Sequence, residues 1–158
     1  MRTLIHLSFK NKVVASDFVE EIVDLANVNF QANGEMQDCS AVCELLDWCE
    51  PEKSSALNDG QKYDYIVGSD IISVHSLYDD LANTLAVAST KGTIVLLCYK
   101  KRYPGEEALL FDSHLPKMGF EMVAEVEDDV MERHRKFGKY GHDSGEQSVL
   151  KFIALRCL

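Results

Sequence analysis

No Gly-x-Gly step occurs anywhere in this chain of 158 residues, although nine glycines are present. Loops that cradle phosphates space glycines closely so that backbone can approach the ligand, and the lack of such a step counts against a phosphate-binding α/β regulator. Basic charge is also scarce. Sixteen Lys and Arg face 26 Asp and Glu, a net charge of −10. Nonspecific binding to nucleic acid or to an anionic membrane needs a basic surface, so neither is expected as a partner. No apolar run is long enough to span a bilayer. The apolar patch from Leu4 to Phe9 is short and has no small-residue cleavage site, so it does not read as a signal peptide. The five cysteines are odd in number and form no Cys-x-x-Cys, which argues against a disulfide framework and against a zinc site. No metal is expected. Cys43 and Cys98 lie in apolar runs and read as buried thiols, and a reducing compartment fits, the cytoplasm with the nucleus also allowed. No Gly-x-Ser-x-Gly turn accompanies the scattered histidines, so a hydrolase triad is not expected. His75, His114, His134 and His142 read as surface residues.

What is present is an alternation of strands and helices over a single domain, residues 1–158. The run from Lys12 to Asp17 reads as a buried strand. A helix follows over 18–32, with Asp17 as its N-cap, Glu20 completing a capping box and Asn33-Gly34 as the stop. A second strand spans 41–46, and a polar loop spans 50–62. Residues 63–70 form the next strand, and 77–89 a helix with Leu77, Leu81, Leu85 and Ala88 on one face, closed by Lys91-Gly92. The strongest strand is 93–99, apolar on both faces as a central parallel strand would be. A helix over 106–117, a strand over 120–126, a charged loop over 127–145 and a last strand over 148–155 complete the chain. The two late strands read as an antiparallel pair.

Three strands end in an acid: Asp17, Asp47 next to Trp48, and Asp70. In an open α/β sheet ligands bind beyond the carboxyl ends of the strands, so these acids can face one crevice. Each has a plainer reading, Asp17 as a helix cap, Trp48 as a half-buried core residue and Asp70 as a loop cap.

In order along the chain stand Val13-Val-Ala-Ser-Asp17, Asn27-Val-Asn29 with Asn33, Leu46-Asp-Trp48, Tyr63-Asp-Tyr-Ile-Val-Gly-Ser-Asp-Ile-Ile72, and Lys91-Gly-Thr-Ile-Val-Leu-Leu-Cys-Tyr-Lys-Lys-Arg102. This set resembles the class I, seven-β-strand protein methyltransferases of the protein-lysine group, over residues 10 to 155. The resemblance implies a Rossmann-like sheet with helices on both faces and S-adenosylmethionine as cofactor. It implies cofactor contacts at Asp17 (ribose), at Asp47 and Trp48 (adenine), and at Ser69 and Asp70, with Asp70 and Tyr99 as the catalytic pair. Arg102 would stand with Tyr99 near the substrate mouth. The implied reaction is methyl transfer to a protein, at lysine, in the full-length form. An acidic crevice suits a basic protein substrate, because the enzyme has only to align a neutral amine with an already activated methyl group and exclude water.

The chain departs from that family in two places. The family opens with a strand and a glycine-rich loop of the form acid-x-Gly-x-Gly, whereas residues 2–12 here resemble the end of a first helix and its turn into the second strand. The first strand is therefore expected to be missing and the domain truncated. The two open inner edges would then leave a weak monomer, a rearranged sheet or an oligomer joined through exposed edges. The family's acid-x-x-aromatic reads Asp70-Ile-Ile-Ser73, with Tyr78 as a substitute aromatic. The alternative function is a catalytically inactive relative acting as a binding module.

Overall fold

Burial alternates along Tyr63–Ser69 and, from Thr93 on, along Ser89–Lys100, and in the computed structural model these two strands lie side by side in a single mixed sheet. The structure describes residues 4–8, 12–33, 40–102, 105–129 and 149–158. In chain order the elements are β1 (Leu4–Ser8), β2 (Lys12–Asp17), α1 (Glu20–Ala32), β3 (Ser40–Leu45), β4 (Tyr63–Ser69), α2 (Tyr78–Ala88), β5 (Ser89–Lys100), α3 (Glu106–Leu109), α4 (Leu115–Lys117), β6 (Phe120–Asp129) and β7 (Val149–Cys157). A π-helical segment, Leu110–His114, joins α3 to α4, so the single helix expected over 106–117 is broken in its middle. The loop expected over 50–62 contains two 3-10 turns, Pro51–Lys53 and Ser55–Gly60. Of the charged loop expected over 127–145, the first three residues continue β6 and the remainder lies outside the described residues.

The strand order is β3-β2-β1-β4-β5-β7-β6. β2 pairs with β3, and β4 with β5, in parallel, while β7 runs antiparallel to both β5 and β6. The antiparallel C-terminal pair is thus as expected. The gap at the centre is not. β1 occupies it, antiparallel to both neighbours, with Leu4 opposite Ser16 and Gly68, and Leu7 opposite Val13 and Tyr65. Residues 4–8, expected to end a helix, form a strand because the facing edges of β2 and β4 would otherwise leave their backbone groups unpaired inside the sheet. The inner edges expected to stand open are therefore closed, and the argument from them to a weak or associating sheet no longer holds.

One face of the sheet is packed under α2, the π-helical segment and α4. Leu81, Leu85, Leu110 and Leu115 interlock there with Ile66, Val95 and Leu155, all essentially buried. Each such side chain contributes about 1.5–3 kcal/mol relative to an exposed one. On the other face α1 lies over β2 and β3, where Ala15 and Cys43 are buried. The Asn27 side chain, at the inner side of α1, donates to the Cys43 carbonyl at 2.9 Å and accepts from its N–H at 2.8 Å, so it takes the place of a neighbouring strand beside β3. Helices thus lie on both faces, but α1 covers only one end. Tyr65, Leu96 and Phe152 on the uncovered end stay 36%, 41% and 42% exposed.

Candidate functional site

At the carboxyl ends of β2 and β3 a cavity of about 210 Å³ opens, lined by Ser16, Asp17, Phe18, Leu46, Asp47, Trp48, Cys49 and Leu77. Asp17 forms its floor and is 3% exposed. It is not the N-cap expected from the sequence. α1 begins at Glu20 behind Val19 with no side-chain cap, and Asp17 Oδ1 instead accepts the Val19 N–H at 3.1 Å. Oδ2 is buried and has no hydrogen-bond partner. An unsatisfied buried carboxylate oxygen is costly, on the order of 1–3 kcal/mol or more, so its retention points to a donor that arrives from outside. The same charge acts on its neighbour: burial, and after it the charge of Asp17, pushes the Cys43 thiol up.

The opposite wall is a turn held by serine hydroxyls. Ser54 Oγ accepts the Asp47 N–H at 2.9 Å and lies 3.1 Å from the Glu50 carbonyl, while Ser55 Oγ accepts the Leu45 N–H at 3.0 Å. Asp47 Oδ1 accepts the Cys49 N–H at 2.9 Å, and these bonds present Trp48, half-buried against the core, to the cavity. The structure therefore brings Asp17, Asp47 and Trp48 together. Ser16, Phe18, Leu46, Cys49 and Leu77 complete the lining and were not singled out as ligand contacts from the sequence. Phe18 is 64% exposed directly after a strand-end acid, which is the signal that could have marked it.

Ser69 and Asp70 end β4 and do not line this cavity. Asp70 has a φ of 56°, in the left-handed region, and its N–H donates to the Cys98 carbonyl at 2.8 Å. Its carboxylate takes both guanidinium nitrogens of Arg102, at 2.7 and 2.8 Å. Two residues before it, Gly68 lies under the ends of two side chains, so that a Cβ there would sit 2.5 Å from Ile71 Cδ1 and 2.9 Å from Leu97 Cδ2 and both chains would have to shift. Tyr99 points to the helix-covered face, where it is buried and stacked on Phe111 with centroids 5.7 Å apart. Burial, with Glu107 and Glu125 acting against Lys151, pushes its phenol up to about 12, so it is neutral at ordinary pH. It lines a second cavity, of about 260 Å³, together with Glu107, Asp112, Glu125 and Lys151. Tyr78 does not supply the substitute aromatic expected for Ser73. It is buried, and its hydroxyl donates to the Ile72 carbonyl at 3.0 Å. Among the described residues no group of His, Cys, Asp and Glu could hold a metal ion, and no helix is long and apolar enough to cross a membrane.

Residues 4–113, well over half of the chain, match the family described as lysine methyltransferase. The chain belongs to that family. No curated protein matches it. Among solved structures it is similar to a SAM-dependent methyltransferase from Methanosarcina mazei, at 11% identity and a TM-score of 0.62, over 93% of this chain and 82% of that one. It is also similar to the cyclase SpnF, at 12% identity and a TM-score of 0.62, over 91% of this chain and 65% of that one. The fibrillarin pre-rRNA processing protein of Methanococcus jannaschii follows at 17% identity and a TM-score of 0.56, over 90% of this chain and 55% of that one. At these identities the likeness is one of fold, the Rossmann-like methyltransferase fold.

The donor that this family uses is S-adenosylmethionine. Its nucleoside fits the residues present. Asp17 Oδ2 lacks the donor that a ribose hydroxyl supplies, and the Trp48 ring with Phe18, Leu46 and Leu77 offers the apolar surface that a purine base needs.

Proposed function

We propose that this protein serves S-adenosylmethionine-dependent methylation of a protein substrate at lysine. The observation that carries this reading is the buried, unpartnered Oδ2 of Asp17 in a cavity at the carboxyl ends of β2 and β3. The bound donor supplies a methyl group already activated on a sulfonium. The chain's own residues have the remaining work. Asp17 anchors the nucleoside, and the wall formed by Asp47, Trp48 and Leu77 keeps water from one side of it. Asp70 stands at the end of β4 and can accept a hydrogen bond from an incoming amine at either carboxylate oxygen once Arg102 swings away. A chain of net charge −10 favours a basic protein as acceptor. The test is incubation with methyl-labelled S-adenosylmethionine and a lysine-rich protein fraction, read by mass spectrometry. A mono-methyl mass increase on lysine, lost in Asp70→Asn, is expected. Label on no protein, with cofactor binding intact, would sink it.

A second reading is a non-catalytic binding module. It is favoured by the Asp70–Arg102 pair, which occupies the carboxylate that would meet the amine, and by Ser73 where an aromatic wall is wanted. Capture of a basic partner without any methyl incorporation is the outcome that selects it.

A further inference from the structure

The cavity of about 260 Å³ that Tyr99 lines shares no lining residue with the Asp17 cavity. Strand register builds its floor. Tyr99 on β5 stands opposite Lys151 on β7, and Lys151 stands opposite Glu127 on β6. Side chains paired in this way share one face of the sheet, here the helix-covered one. The register of β6 shifts between Met122 and Ala124, and a shift of this kind moves later side chains to the other face. Met122 and Glu125, three residues apart, therefore both line the cavity. α3 and the π-helical segment close it from above with Glu107, Phe111 and Asp112.

The polar groups of this cavity are unevenly answered. Tyr99 is 4% exposed, and among the described residues its hydroxyl has no hydrogen-bond partner. A buried hydroxyl is nearly always paired, within the chain or with something that enters from outside. The phenol is neutral, so its oxygen can accept a hydrogen bond as well as donate one. The two lysines of the lining are already engaged by acids. Lys151 pairs with Glu125, and with Glu127 at 2.9 Å, while Lys101 lies 3.9 Å from Glu127. Two further acids complete the lining. Glu107 is buried, with Oε1 accepting the Arg102 N–H at 2.8 Å, and Asp112 is exposed at the rim. Four acids thus surround two lysines. An incoming anion would meet an excess of like charge, and an incoming cation would balance it. Between the polar groups lie Phe111, Met122 and Ile153, an apolar surface that suits the alkyl stem of a long basic side chain.

We propose that this second cavity takes the lysine or arginine side chain of a basic partner protein. The stem lies on Phe111, Met122 and Ile153. The cationic head sits among Glu107, Asp112 and Tyr99 and donates to the Tyr99 hydroxyl oxygen. The Lys151–Glu125 pair forms the polar floor beneath it. Gly105, Ala108 and Asp112 at the rim are exposed, so a peptide can insert one side chain while its backbone stays outside. The site is distinct from the Asp17 cavity and does not depend on methyl transfer. It would serve a methylating enzyme and a binding module alike.

Met122 lines the cavity and Met118 does not, so their methyl resonances in the methionine-labelled 158-residue protein separate binding at this site from binding elsewhere. The probes are the peptides acetyl-Gly-Arg-Gly-amide and acetyl-Gly-Lys-Gly-amide, which distinguish a guanidinium from an ammonium. The same peptide with citrulline or with glutamate in the centre gives a neutral and an anionic control. One or both basic peptides should shift Met122 and not Met118, saturably, and bind at least about threefold tighter than either control. Tyr99→Phe keeps the ring on Phe111 and removes only the hydroxyl, and it should weaken the basic peptides by about threefold or more. Asp112→Asn, at the exposed rim, should weaken them similarly and keeps the test open should the buried substitution not fold. Absence of a Met122 shift with both basic peptides overturns the proposal. So does a control that binds as tightly as they do, or binding unchanged in the folded variants. Each of these outcomes leaves the reading of the Asp17 cavity where it was, since the two sites share no residue.

Discussion

The two halves of the ligand edge treat their acids in opposite ways. At the β2–β3 end Asp17 is buried, has one oxygen without a partner and faces a cavity. At the β4–β5 end Asp70 is half exposed, in the left-handed region, and closed by a bidentate pair with Arg102. Below Asp70 the packing is tight, with Gly68 against Ile71 and Tyr99 stacked on Phe111. The difference shows where this fold keeps stability and where it gives it up. Asp70 is satisfied within the chain, whereas the buried Asp17 Oδ2 is left without a partner at a place where a ligand can fill the vacancy.

The largest effect that separates the halves is expected from Phe111→Ala. Removing this buried ring should cost about 3–5 kcal/mol in denaturant unfolding, while nucleoside binding in the surviving folded fraction is unchanged. A parallel loss of binding would mean that the two halves are coupled. Next is Asp17→Asn. A saturating nucleoside at about one hundred times its dissociation constant should stabilise the native chain by about 2.7 kcal/mol, and the variant should lose that gain. Without ligand the variant should melt at the same temperature as the native chain or higher, because a buried charge has gone. A lower melting point would assign Asp17 a structural role. Ser54→Ala should then cost about 1–3 kcal/mol by leaving the Asp47 N–H unsatisfied, and the Trp48 fluorescence anisotropy should fall as its turn loosens. Unchanged anisotropy would show that core contacts alone place the indole. The smallest effect is that of Arg102→Ala. Both partners of this pair are at least a third exposed, so stability should change by less than about 1 kcal/mol, and added salt should shrink the difference further. A salt-independent loss above that would show that the pair locks the β4–β5 end.

Much of this could be read along the chain. The strand ends at Asp17 and Asp70, the helix over Leu81 and Leu85, and the apolar β5 were all legible, since burial imposes a period of two on strands and 3.6 on helices. Asp47 and Trp48 were legible as neighbours of a strand end. Other features were not. The carboxylate of Asp17 fits an N-cap pattern, but its unpartnered oxygen depends on what the turn at 47–54 places opposite. Tyr99 follows a strand as a mouth residue would, but the strand's alternation points it at Phe111. The π-helical segment Leu110–His114 breaks the helix over 106–117 although its own five residues include no proline or glycine, and Pro116, two residues beyond it, was not read as a break.

By itself the sequence determined the class of fold, the family, the acids at the strand ends and the absence of a glycine-rich turn, because each is written in local spacing or in residue type. Only the tertiary structure decided the direction of β1, the pairing of Asp70 with Arg102 and the shape of the Asp17 cavity. The physical reason is that an alternating strand reads the same in either direction. Its orientation is set by which neighbouring edges need its hydrogen bonds, and those edges, β2 and β4, lie far apart in the chain and meet only when the sheet forms.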